Sequence, residues 1–152
     1  MPHAMTPAEV EEVIEGFVRG ALLVQEAGGD GVELHGAQGH LIQQFVSPFS
    51  NTRTDDYGGS FEQRLRFPEE MIRRIRERAG RDFIIGYRLG VEEFTDGGLG
   101  IADTRRIAAR FAEAGLVDFL SLTQGNFNTL DTHCPDSHYP PAGYADLHAQ
   151  IK

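Results

Sequence analysis

Cysteine is almost missing from this chain: Cys134 is the only one in 152 residues. A single thiol closes no internal disulfide and builds no cysteine-based metal or iron–sulfur site; it suits a reducing compartment. Long apolar runs are also missing, and none approaches the ~20 residues that a membrane-spanning helix requires. The first residues, Met1 to Thr6, lack the charged start and apolar core of a signal peptide, so a cytoplasmic location is the default expectation. Basic charge is in deficit, with 14 Lys and Arg against 23 Asp and Glu and a net charge of −9. That balance argues against a nucleic-acid partner, because phosphate binding needs clustered cations. Basic residues do cluster at Arg64-Leu65-Arg66 and from Arg73 to Arg78, but with Glu interleaved at helical spacing. Such a run is expected to be a solvated helix face.

What is present is ordinary for a globular domain with a sizeable core: 40% hydrophobic and 24% charged residues. Three helix-then-strand units can be read. Thr6-Pro7-Ala8-Glu9 is a capping box with proline in the first helical turn. Val10, Val13, Ile14, Phe17, Ala21 and Val24 then share one helix face, and Gly28-Gly29 ends it. A short strand is expected over 31–35. The second unit opens with the capping box Ser60-Phe61-Glu62-Gln63 and carries Met71, Ile72 and Ile75, with a kink or restart expected at Pro68. Its strand is expected over 83–89. The third helix starts near Ile101, presents Ile107, Phe111 and Ala114, and leads into a strand over 117–122. Glu26-Ala27-Gly28 and Glu113-Ala114-Gly115 echo each other before the first and third strands. A helical stub from Tyr144 to Lys152 comes last.

Near-continuous apolar strands alternating with amphipathic helices predict an α/β fold, a parallel sheet with right-handed helical crossovers. The long connections 36–59 and 123–143 follow the carboxyl ends of strands, where such folds place their chemistry. A closed eight-stranded barrel needs about 250 residues. With three strands in hand, the chain is expected to be either a small open sheet or a piece of a larger barrel. The absence of any helix cap after Lys152 favours the piece.

Three polar side chains, His35, Gln38 and His40, crowd the end of the first strand. Two glycines let the backbone turn there, so these groups are placed to share a pocket. They would then stabilise negative charge on a substrate oxygen or exchange a proton near neutral pH; the alternative is that they only order the loop. A metal site is not expected, because no convincing third ligand stands near the two histidines. Arg88 ends an otherwise apolar strand, and its charge there demands a partner: either Glu33 on the neighbouring strand or a bound anion. The stretch 47–60, dense in turn formers and opposite charges, is expected to order itself with Arg53 paired to an aspartate. Gln124, Asn126 and Phe127, just past the third strand, are candidates to line the same pocket. His133, Asp136, His138 and Tyr139 lie among prolines and read mainly as loop structure.

These residues add up to a family resemblance. Gly31-Val32-Glu33-Leu34-His35-Gly36-Ala37-Gln38-Gly39-His40-Leu41, then Gln44-Phe45-Val46-Ser47-Pro48, then the signature Asn51-Thr52-Arg53-Thr54-Asp55-Asp56-Tyr57-Gly58-Gly59-Ser60, and finally Arg64-Leu65-Arg66-Phe67 closely resemble the old yellow enzyme family of NADH:flavin oxidoreductases. The likeness extends along essentially the whole chain. It includes ene-reductases, 2,4-dienoyl-CoA reductases, and amine dehydrogenases or demethylases.

The resemblance implies a TIM (β/α)8 barrel that holds FMN at the carboxyl ends of its strands and takes electrons from NAD(P)H. This chain, 1–152, matches roughly strands four to six, incomplete at both ends. It would lack the strands that grip the flavin phosphate, so the isolated chain is expected to be inactive and to associate with itself or with the remaining barrel segments. Arg88 matches the arginine beside the flavin N1 and O2 atoms, whose charge stabilises the reduced cofactor. His35 matches the first member of the pair that anchors the carbonyl of an α,β-unsaturated substrate. Gln38 takes the second position, where Asn or His is usual, and His40 stands where many members carry a proton-donating tyrosine. The implied ene reduction passes hydride to the β-carbon, with His35 and Gln38 steadying the enolate and His40 protonating the α-carbon. The Gly39-His40-Leu41 wording and the Asn126-Phe127-Asn128 loop look nearer the demethylase branch, where hydride leaves an amine carbon.

Overall fold

The computed structural model describes residues 3–151. Three parallel strands form one sheet in the order β1 (Gly31–Gly36), β2 (Ile84–Gly90), β3 (Phe119–Thr123). Helix α1 (Pro7–Glu26) precedes β1; α2 (Leu41–Val46) and α3 (Phe61–Ala79) connect β1 to β2, and α4 (Ile101–Glu113) connects β2 to β3. Two short helices, α5 (Leu130–His133) and α6 (Ala145–Ala149), follow. No described helix is long and apolar enough to cross a membrane.

Both capping boxes form. Thr6 accepts from the Glu9 backbone N–H while the Glu9 carboxylate accepts from Thr6, and Ser60 and Gln63 repeat the arrangement. The Glu-Ala-Gly echo also has a physical cause. Ala27 and Ala114 cap their helices, and Gly28 and Gly115 follow at φ of 85° and 58°, a left-handed step that costs glycine little.

Three expectations about boundaries need correction. Helix α3 runs without interruption through Pro68. The lost N–H is outweighed by burial of Leu65, Phe67, Met71, Ile72 and Ile75 on one side, with the Phe67 ring stacked on Phe45 at 4.0 Å. Strand β3 starts at Phe119, because Asp118 turns its carboxylate onto the Ile85 N–H (2.7 Å) and the Arg76 guanidinium (2.6 Å). The terminal stub is helical only over Ala145–Ala149, and Lys152 falls outside the described residues.

The basic run lies on a solvated helix face, as expected, and is also paired. Arg74 engages Glu11 and Glu15 of α1, Arg78 also reaches Glu15, and buried Glu69 lies between Arg73 and Arg110.

The strands are not uniformly apolar. Leu34, Ile85, Tyr87 and Leu89 are buried beneath the helices. Successive strand residues point to opposite faces, so the other face carries Glu33 and His35, Gly86 and Arg88, Phe119 and Ser121. The parallel register aligns His35 with Arg88 and Arg88 with Ser121, one row across all three strands. On the helix side, the Tyr87 ring packs edge-on to Phe111 (5.0 Å) and leans over Gly36, where an added Cβ would come within 2.1 Å of the phenol.

Gly36→Ala is therefore expected to destabilise the chain by about 1–3 kcal/mol through overpacking, with Tyr87→Leu recovering part of the loss. Urea unfolding of the single and double variants measures this.

Candidate active site

The site is assembled by the turn after β1. Gln38 and Gly39 both adopt left-handed backbone, at φ of 60° and 78°. A non-glycine residue in that region is strained unless its surroundings hold it. Here Gln43 accepts from the Gly39 N–H, and Gln44 donates to the Gly39 carbonyl at 2.6 Å. The Gln38 amide itself donates to the Thr123 hydroxyl at the end of β3 (3.1 Å), tying the turn to the far strand.

This turn delivers His40, the exposed N-cap of α2, to within 4.5 Å of the His35 ring at an interplanar angle of 53°. The Phe127 ring meets His40 edge-on at 5.2 Å and lies against Gly39, where a Cβ would come within 2.6 Å of it. His35 is half-buried, and its pKa is held below the ordinary 6.5, first by burial and then by the charges of His40 and Arg88, with Glu33 opposing. At neutral pH its imidazole is uncharged and offers one donor and one acceptor.

Arg88 stands beside His35 in the sheet register. The ion pair with Glu33 weighed above does not form. Among the described residues, no carboxylate lies within ion-pair distance of Arg88, and its buried Nε has no hydrogen-bond partner. The adjacent Ser121 hydroxyl is likewise buried and unpartnered. The face thus presents a positive charge and a hydroxyl with nothing of the chain's own to bind. No group of three His, Cys, Asp or Glu among the described residues is arranged to hold a metal.

The loop after β3 behaves less uniformly than its sequence suggests. Phe127 is 53% exposed and faces the histidines. The amides of Gln124 and Asn126 are spent internally. Gln124 donates to the Thr132 carbonyl and accepts from His148, while Asn126 donates to Glu93 and Thr95 and accepts from the Asn128 N–H. Asn126 and Phe127 still edge a cleft of about 220 Å³, together with Gly39, Gln44, Phe49 and Glu93.

The 47–60 stretch orders itself as expected. Arg53 pairs with Asp55 and also donates to the Met5 carbonyl (2.7 Å), and Asn51 donates to the carbonyls of Phe45 and Tyr57.

One residue near the site was ranked low by the sequence reading and another escaped it. His133 is close enough for its charge to depress the His35 pKa, and its Nδ1 is buried without a partner; its proline-rich setting disguised it. Glu93 is 2% exposed at the centre of the loops. An acidic residue just beyond a strand's carboxyl end was the available signal.

The model of the NADH:flavin oxidoreductase / NADH oxidase family matches residues 1–143. The chain belongs to this family. It is 42% identical over 151 residues to an NADH oxidase of Thermoanaerobacter brockii, covering 99% of this chain and 23% of that protein. It is also 42% identical over 147 residues to an N,N-dimethylglycine/sarcosine dehydrogenase of Chromohalobacter salexigens, covering 95% of this chain and 21% of that one. In three dimensions it superposes on 2-naphthoyl-CoA reductase in complex with 2-naphthoyl-CoA with a TM-score of 0.88 at 31% identity, over 98% of this chain and 22% of that one. The chain thus spans less than a quarter of each of these relatives, and its fold is a segment of a TIM barrel.

As an NADH:flavin oxidoreductase segment, the chain has a row that suits an FMN ring. An unpaired guanidinium and a buried unpartnered hydroxyl beside a strand end are complementary to the electron-rich edge of a flavin.

Because the folded His35 pKa lies below the unfolded one, the unfolded chain binds more protons between the two values. Its contribution is therefore neutral above pH 6.5 and destabilising as pH falls through that window. In an NMR titration, His35 is expected to protonate below 6.5. Arg88→Met should move the titration upward without restoring the free value, because burial is the larger cause. A His35 titration unchanged by Arg88→Met would contradict the proximity of the two charges.

Proposed function

We propose that this chain supplies the substrate-facing and flavin-facing block of an FMN-dependent NAD(P)H oxidoreductase that reduces an activated C=C bond, in an enone or an enoyl thioester. The observation that carries the reading is the unpaired Arg88 beside an uncharged His35 on one sheet row. Bound FMN would supply the hydride exchange between NAD(P)H and substrate.

The remaining work falls to side chains of this chain. Arg88 would hold the pyrimidine edge of the flavin. His35 would donate from its neutral ring to the substrate carbonyl oxygen, and the Gln38 amide, steadied by Thr123, would provide the second donor. Negative charge growing on that oxygen would meet preorganised donors and an uncompensated cation, which lowers its energy most in a partly desolvated site. His40, its ring tilted beside that of His35, would return a proton to the α-carbon.

A second reading has its own support: oxidation of a methylated amine. The His35, His40 and Phe127 rings cluster at the same rim, and aromatic faces attract alkylammonium groups; the dehydrogenase relative points the same way. The positive charge of Arg88 disfavours a cationic substrate, so the reductive reading ranks first.

A chimera in which this chain replaces the matched segment of the T. brockii NADH oxidase tests the choice. NADH-reduced flavin should be reoxidised by cyclohexenone or crotonyl-CoA. His35→Ala should lower kcat/KM by roughly 10²-fold, the scale of one lost oxyanion donor. Anaerobic bleaching of the flavin by sarcosine, without enone turnover, would reverse the ranking.

We also propose that the 152-residue chain by itself is a non-catalytic partial barrel that pairs with other chains. Strands β1 and β3 both present open edges, and large apolar side chains such as Ile84 and Phe119 are exposed on the inner face. A groove of about 620 Å³ runs along α1 and β1 between Val13, Phe17, Val24, Val32 and Leu34. Size-exclusion mass and flavin absorbance are expected to show a self-associated, colourless protein; a yellow monomer would overturn this.

A further inference from the structure

Glu93 is a carboxylate almost completely removed from water, 2% exposed, and no lysine or arginine among the described residues pairs with it. Burying such a group is costly unless every lone pair is used. The donors come from all three loops at the carboxyl ends of the strands. The Ser47 hydroxyl reaches Oε2 from the loop after β1, at 2.5 Å. The Leu99 N–H reaches the same oxygen from the loop after β2, at 2.6 Å. The Asn126 amide reaches Oε1 from the loop after β3, at 3.2 Å. The Glu93 backbone adds two more ties, accepting from the Thr129 hydroxyl (3.0 Å) and donating to the Leu99 carbonyl (3.0 Å). Gly98 leaves the room: a Cβ there would lie 2.8 Å from Glu93 Oε2.

We propose that Glu93 is a positioning residue that clamps the three loops, and through Asn126 seats the Phe127 ring against His40 and so fixes the histidine pair. The catalytic consequence rests on the reading of His35 and His40 given above; the clamp itself does not. The linkage is short. Asn126 is held by Glu93 and Thr95, its own oxygen fixes the Asn128 N–H, and Phe127 lies between the two asparagines with its ring on Gly39 and edge-on to His40. Charge-assisted bonds to a buried carboxylate are among the stronger ties available for such a loop.

Polarity makes the clamp testable. Glu93→Gln keeps the shape but must point an NH2 group either at Asn126, which donates, or at Ser47 and the Leu99 N–H, which also donate. Asn126 cannot relieve the clash by flipping, because its oxygen is needed by the Asn128 N–H. Adding Asn126→Asp restores the match, with glutamine now donating to aspartate.

The experiment follows the His40 ring resonances by NMR in the 152-residue chain, with Phe127→Ala defining the position of an unseated ring. Glu93→Gln is expected to move the His40 signals toward that position, and the Glu93→Gln/Asn126→Asp pair to return them. If Glu93→Gln fails to fold, folding of the double variant with native His40 signals supports the clamp equally. His40 signals unchanged in a folded Glu93→Gln, or a folded double variant whose signals do not return, overturn it. Neither readout involves flavin or substrate, so failure of the clamp is separate from failure of the reductase reading.

Discussion

A guanidinium without a counter-charge is the constraint around which this structure is arranged. Arg88 sits at the end of a strand whose helix-facing neighbours are fully enclosed, and its own Nε is out of contact with water and protein acceptors alike. The other half-buried arginines all have partners, Arg64 through the carbonyls of Val46 and Gly59. Arg74, Arg76 and Arg110 each close on a carboxylate, and Arg110 shares Glu69 with Arg73. An unpaired guanidinium with its Nε enclosed is a cost to the fold, and under the proposed reading the edge of a bound flavin would offset it. The same charge helps keep His35 in its uncharged form, which preserves the imidazole as a neutral donor.

The sheet is the means by which this row exists. Parallel pairing without a bulge in the register sets His35, Arg88 and Ser121 side by side, and the period of two sends all three to the face away from the helices. That face is sparsely filled. Glycine at 86 admits the Phe119 ring, which passes across it so closely that a Cβ would be 2.2 Å away, and Ile84 and Phe119 both remain partly exposed. Apolar side chains on the inner face and along the α1–β1 groove are what a (β/α)8 barrel buries when further strands close it. They are costly in the open segment and useful in the ring.

Where the sequence was legible, one local rule acted alone. The capping boxes at Thr6 and Ser60 and the left-handed glycines 28 and 115 follow from backbone chemistry within a few residues, and they ended and began helices as read. The signature from Asn51 to Ser60 was legible for the same reason, since its bonds are mostly to its own neighbours. Reading failed where distant groups decide. Pro68 argued for a break, but the core on both sides of it holds one helix. Asp118 read as strand, yet Arg76 in α3 takes its carboxylate. The sequence also hid how the amides of Gln124 and Asn126 are engaged, since their partners, His148 and Glu93, come from elsewhere in the chain, while Asn126 still edges the cleft. Glu33 was a reasonable partner for Arg88 by sequence; the register sets it opposite Gly86, two residues before the arginine on the same face, and the ion pair does not form.

Glu93 and Arg88 make the complementary point about charge in a site. A carboxylate on the same loop face would ordinarily be drawn to an unpaired arginine, and the pair would cancel the field that makes the arginine useful. Here the Glu93 oxygens are consumed by neutral donors, a serine hydroxyl, a backbone N–H and an asparagine amide, so its charge is balanced by dipoles and its geometry is locked. The loops gain rigidity from an anion without supplying that anion to the cation. Had Ser47 or Asn126 been apolar, the cheapest remedy for a buried Glu93 would have been a cation, and the rim bearing His35 would have lost its positive potential along with its order.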